Sequence, residues 1–263
     1  MTQVGGIKEP VWVWGIPYTP LTYAETLETI RGLIEEGKPS YFITANTHYA
    51  MLTRDNPDLR EINARAAFIL ADGAPVVWAS RRGPSPLPER VAGADLVFTL
   101  CEIAAREGFR VFLAGAAPGV AEVAAGNLRQ RYPGLIVDTA CPPRFQDQSD
   151  EEYQDLKARI VAARPHLLFL AATQPQGERW LFKNVEDLGI PVIGVPVGST
   201  VDIAAGRLGR APLWMQKVGL EWFYRLVSEP RKLLTRYVRN GRFIAGTLLR
   251  RPDRPAPPPE RTP

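Results

Sequence analysis

The sequence predicts an α/β fold of the Rossmann-like kind, a largely parallel, doubly wound sheet that carries a basic, amphipathic helical appendage toward its C-terminus. Three observations predict it. Short apolar runs rich in β-branched residues recur along the chain, segments of helical spacing alternate with them, and the charge balance reverses after Gly206.

The strand candidates are residues 11–15, 41–44, 68–71, 110–114, 135–138, 167–171 and 192–197. Several are apolar at consecutive positions, which reads as a strand buried on both faces rather than one with a solvated side. Between them, residues 23–36, 57–66, 75–80, 94–107, 120–131, 150–163 and 178–188 have helical spacing. That alternation implies parallel strands joined by helical crossovers. With 263 residues and 45% hydrophobic content, the chain can bury one substantial core.

Residues 1–206 hold 19 Lys and Arg against 24 Asp and Glu, whereas residues 207–251 hold 11 against 2. The expected organisation is an α/β catalytic domain over 1–206, a basic helical membrane-associating appendage over 207–251, and a disordered Pro-rich tail over 252–263. Trp214, Val218, Trp222 and Leu226 recur every four residues, flanked by Lys217, Glu221 and Arg225. Pro230 breaks that helix, and a second basic segment follows over 231–251 with Leu234, Tyr237, Ile244 and Leu248 as apolar members. Aromatic residues interleaved with Arg and Lys disfavour a merely solvated face. No nucleic-acid-binding module surrounds these charges, so an anionic membrane surface is the expected partner, with no nucleic acid.

Cys101 and Cys141 form neither a disulfide framework nor a zinc motif, which suits a reducing cytoplasm. No stretch has the length and apolar character of a membrane span. The expected location is therefore cytoplasmic, peripheral on the inner face of the plasma membrane.

In doubly wound sheets ligands bind beyond the carboxyl ends of the strands. That rule singles out the junctions at 44–46, 71–75, 113–119 and 171–178. Asp72 stands at a strand end before Gly73 and Pro75, a position that suits a general base; the alternative is a cap for the helix beginning near Pro75. Gly115 opens a turn to Gly119 whose backbone N–H groups can meet a diphosphate, or which is a plain tight βα turn. No Asp-x-Asp pair occurs, so no metal and no cofactor is expected, and Arg90 and the basic appendage are the available counter-charges. His166 reads as structural, while His48 lies beside Asn46.

At these residues the chain resembles the WecG/TagA/CpsF family of bacterial glycosyltransferases over residues 11–237. The shared pieces include Thr44-Ala45-Asn46, Ala71-Asp72-Gly73-Ala74-Pro75, Glu89-Arg90-Val91-Ala92-Gly93, Arg210-Ala211-Pro212 and Gly219-Leu220-Glu221-Trp222. The resemblance implies inverting, metal-independent transfer of an N-acetylmannosamine-type or related hexose. The donor would be a UDP-sugar, and the acceptor an undecaprenyl-diphosphate-linked saccharide of wall or surface polysaccharide synthesis.

It further implies Asp72 as base, Thr44, Asn46 and Gly73 in the pocket, and Arg90 near phosphates, with Arg225, Arg231 and Arg236 as candidates for diphosphate contact. The family pattern Pro-x-Gln-Glu is replaced here by Pro175-Gln176-Gly177-Glu178, leaving Gln176 or Gln174 to supply the glutamine. Residues 197–202 likewise stand where Gly-Gly and Phe-Asp pairs are common. A nucleotide-dependent oxidoreductase and a non-enzymatic membrane scaffold are the rival readings, and homo-oligomerisation is left open.

Overall fold

The structure, a computed structural model, describes residues 8–142, 145 and 147–248. The expected disordered tail at 252–263 lies outside the described residues.

The chain opens with β1 (Val11–Val13) and β2 (Ile16–Tyr18), an antiparallel hairpin that sets Val13 opposite Ile16. Trp14 and Gly15 both adopt positive φ, 53° and 79°, which matches the twist of a two-residue hairpin turn. The strand expected over 11–15 is thus one arm of a hairpin outside the main sheet. An apolar run carries no mark of a chain reversal in its middle.

Next comes α1 (Tyr23–Glu36), whose start is fixed by a capping box between Thr22 and Glu25 and whose end is fixed by left-handed Gly37. β3 (Ser40–Tyr41), β4 (Ile43–Ala45), α2 (Thr47–Asp55), α3 (Asp58–Arg65), β5 (Ile69–Ala71) and α4 (Ala74–Ser80) follow. The chain continues through α5 (Gly93–Glu107), β6 (Arg110–Gly115), α6 (Val120–Arg131), β7 (Ile136–Ala140) and α7 (Asp150–Ala163). β8 (Leu167–Ala171), α8 (Gln176–Asn184), β9 (Ile193–Pro196) and α9 (Thr200–Ala204) complete the body.

Five strands pair in the order β3-β9-β8-β6-β7, all parallel, with helices on both faces: a Rossmann-like, doubly wound arrangement. β8 shows why both faces must be covered. Leu168 and Leu170 join one buried cluster while Leu167, Phe169 and Ala171 join the other, and each fully buried Leu or Phe contributes about 1.5–3 kcal/mol. β4 and β5 form a further parallel pair, and Phe42 between β3 and β4 still donates its N–H to the Gly194 carbonyl. The strand ends of β4 and β5 therefore open on the same side as those of β6, β8 and β9.

Past α9 lie α10 (Leu213–Lys217), α11 (Glu221–Ser228) and α12 (Pro230–Leu248). The single helix expected across 214–226 is split at Gly219, φ 77°, where a Cβ would stand 2.8 Å from that of Ala74. Only a glycine turn lets the chain pass so close to α4. α12 packs on α2 and α11 with Leu233 and Phe243 buried, and the Phe243 ring meets Trp14 edge-on at 5.4 Å.

Candidate active site

The carboxyl ends of the strands, the hairpin and α12 together enclose a cleft of about 2060 Å³. A volume of this size exceeds the roughly 300–1,000 Å³ of a typical small-ligand pocket and leaves room for two substrates. Thr44, Asn46, Asp72, Gly73, Arg90, Gly115, Gln176, Arg225 and Arg236 all line it. Arg231 does not: it is exposed on the first turn of α12.

Pairing of β4 with β5 sets Thr44 opposite Leu70 and Ala45 opposite Ala71, so the residues that follow emerge side by side. The Asp72 N–H donates to the Ala45 carbonyl at 3.1 Å, and Asn46 accepts from the N–H groups of His48 and Tyr49 as the N-cap of α2. Val91 donates to the Ala71 carbonyl at 3.0 Å, which brings Arg90 alongside Asp72. Thr44 closes the far side, since a Cβ on Gly93 would meet its hydroxyl at 2.8 Å.

Asp72 is not a helix cap. Gly73 holds the N-cap position of α4, and the Asp72 carboxylate is bonded instead by the backbone N–H of Gly93. Burial raises its pKa to about 6, opposed first by the Arg90 guanidinium and assisted by the charge of Glu221. A carboxyl tuned this way is ionised at neutral pH yet basic enough to take a proton.

Arginine supplies the cleft's positive charge. Arg90 pairs with Glu221 of α11 at 3.1 Å, and Arg225 donates to the Ser199 hydroxyl at 3.0 Å while facing Glu229 at 3.6 Å. Arg236 forms no ion pair within 4.0 Å among the described residues. Burial, then nearby Arg225, lowers its pKa, whereas Tyr237 and Asp72 raise it. An unpaired, largely desolvated guanidinium attracts an oxyanion strongly. His48 also lines the cleft, and burial together with Arg236 lowers its pKa to about 4, so it is a neutral imidazole there.

Gly115 has a packing reason to be glycine, because a Cβ there would lie 2.6 Å from the Ala171 carbonyl oxygen. The Ala116 N–H bonds that same oxygen at 3.0 Å, joining the turn after β6 to the end of β8. Among the described residues, no group of three or more His, Cys, Asp or Glu is placed to hold a metal ion.

Read from sequence, Glu178 and Glu221 appear only within motif segments and as a helix flank, with no role given to either, whereas the structure buries Glu178 at the cleft wall and sets Glu221 in the cleft. The spacing of Glu221 and Arg225, one helical turn apart, was the available signal.

Outside the cleft, Trp214, Val218, Phe223, Val227, Leu234 and Val238 are exposed along the α10 to α12 segment, and Trp222, which lines the cleft, is exposed as well. Among the described residues, no helix is long and apolar enough to cross a membrane. Asp72 thus lines one cleft with Arg90, Arg225 and Arg236, and the Glycosyl transferase WecG/TagA/CpsF family matches residues 11–256, nearly the whole chain; the protein belongs to that family of glycosyltransferases.

Proposed function

We propose that this chain catalyses inverting transfer of a hexosyl unit from a UDP-sugar to a lipid-diphosphate-linked saccharide during cell-wall or surface polysaccharide synthesis. The observation that carries the reading is Asp72, a carboxyl raised to about 6, in one cleft with the unpaired Arg236.

Asp72 takes the proton from an acceptor hydroxyl as its oxygen bonds to the anomeric carbon. The bond from that carbon to the phosphate oxygen breaks, and its electron pair leaves on UDP. Arg90, Arg225 and Arg236 compensate the charge gathering on the diphosphate, the task a divalent ion performs in other transferases. Thr44, Asn46 and Gly73 shape the pocket around the base.

The apolar residues exposed on α10 to α12, set among arginines, support a peripheral role on an anionic membrane, where each basic residue contributes about 1 kcal/mol. Residues 1–206 would then be the catalytic body and 207–251 the membrane-associating appendage.

The test is incubation with a panel of UDP-sugars and short lipid-diphosphate saccharides, with and without chelator, products being read by mass. Transfer that persists in chelator is expected. Transfer that requires added magnesium or manganese would remove the arginines from their role, and absence of product from every pair would remove the donor and acceptor classes.

A further inference from the structure

Tyr237 lines the cleft but takes no part in the reaction proposed above. It follows Arg236 on α12, whose cleft face is the helical stripe Leu233, Arg236, Tyr237 and Asn240. The ring is half-buried and meets Trp222 of α11 edge-on, 5.9 Å between ring centres, so two helices fix its place. Among the described residues its hydroxyl makes no hydrogen bond, yet the oxygen stays open to solvent, unlike the buried Oδ1 of Asn240 one turn further on. A Phe ring would pack on Trp222 equally well, so the packing gives no reason for the hydroxyl.

The charges that act on this phenol are those of Arg225 and Arg236, followed by Glu221 and Glu229. Both carboxylates are already engaged, Glu221 by Arg90 and Glu229 by Arg225, whereas Arg236 has no ion pair within 4.0 Å among the described residues. Partial burial raises the pKa of the phenol against the pull of Arg225 and then Arg236, so at neutral pH it keeps its proton and donates. An O–H donor beside two guanidiniums suits an anion whose oxygens only accept, which describes a diphosphate better than a sugar hydroxyl.

We propose that the Tyr237 hydroxyl donates to a non-bridging oxygen of the sugar nucleotide's diphosphate, completing with Arg225 and Arg236 a three-donor cradle built from α11 and α12. Negative charge gathers on that oxygen as UDP departs, so the bond strengthens while the glycosidic bond breaks. The inference rests on the UDP-sugar reading above and adds to it a neutral donor among the arginines.

The experiment is calorimetric titration of the full chain, wild type and Tyr237→Phe, with UDP and with geranyl diphosphate, a water-soluble lipid diphosphate. Uridine is read by displacement of UDP, and the melting of each free protein is measured alongside. Because the ring is kept, the free proteins melt alike. UDP binds the variant about tenfold more weakly, the scale of one lost hydrogen bond to a charged group, while uridine stays within about twofold. A loss shared by UDP and geranyl diphosphate, with uridine spared, equally supports a diphosphate contact. Unchanged UDP affinity overturns the proposal. So does a loss that extends to uridine or comes with a lower melting temperature, which marks a structural role, and so does a loss confined to geranyl diphosphate, which gives the phenol to the acceptor. Each of these leaves the UDP-sugar reading standing. A wild type that binds no UDP overturns both.

Discussion

Arg90 and Glu221, 131 residues apart in sequence, are joined by an ion pair of 3.1 Å whose partners are about one-fifth exposed. The pair ties α11 to the connection between α4 and α5, which Val91 bonds to the end of β5 beside Asp72, and both of its charges act on that carboxyl. Glu221→Gln should therefore lower the Asp72 pKa, because a like charge that disfavours ionisation is removed. The acid limb of the kcat/KM profile is expected to move to lower pH, and an unmoved limb would uncouple α11 from the base.

Asp72 itself makes two predictions. Asp72→Asn should reduce turnover about 10² to 10⁴-fold with the fold retained. Because the folded carboxyl is raised from 3.8 to about 6, its contribution to stability is fully present below the unfolded value and is lost as pH rises through about 6. The Asn variant should then melt above the wild type at pH 8, with the gap closing below about pH 4. Equal melting curves at both pH values would contradict the burial cost assigned to this group.

Arg236 and Arg231 lie on the same helix and should behave differently. Arg236→Gln removes the unpaired guanidinium from the cleft and is expected to lower kcat about 10² to 10³-fold, the scale of a lost oxyanion-stabilising donor. Arg231→Gln, at an exposed position outside the cleft, should leave transfer to a water-soluble acceptor analogue unchanged. Steady-state kinetics on the two variants side by side distinguishes them, and equal losses would mean that charge alone, not position, matters.

Truncation after residue 206 removes α10 to α12, their exposed aromatic face and the whole of the basic excess, leaving 19 Lys and Arg against 24 Asp and Glu. Flotation with vesicles containing anionic lipid should show loss of binding, and sugar transfer should fall with it. Trp14 loses the Phe243 ring and the core loses Leu233, so the shortened chain is expected to melt at a lower temperature while remaining folded. Undiminished vesicle binding by the shortened chain would refute the membrane role of the appendage.

Gly219→Ala tests the turn between α10 and α11. Its φ of 77° disfavours any side chain, and the added methyl would meet Ala74 at 2.8 Å, so Glu221 and Arg225 must shift away from Asp72. A fall in kcat/KM larger than the accompanying fall in melting temperature is expected from measurements on purified protein. Unchanged kinetics would show that the placement of α11 is not set by this contact.

The sequence by itself determined the alternation of strands and helices, the parallel sheet and the position of Asp72 at a strand end. These follow from local patterns: consecutive apolar residues, helical spacing, and a carboxylate directly before a Gly-Ala-Pro turn. It also determined the separation of an acidic body from a basic appendage, a matter of counting charges. Tertiary structure alone decided that Trp14 and Gly15 reverse the chain into a hairpin, that Gly219 divides one expected helix into two, and that Glu178 is buried beside Gln174. It likewise decided between Arg231 and Arg236. Five residues at about 100° each place them roughly 140° apart around α12, and which face meets the cleft depends on how the helix packs on α2 through Phe243, a contact no sequence period encodes.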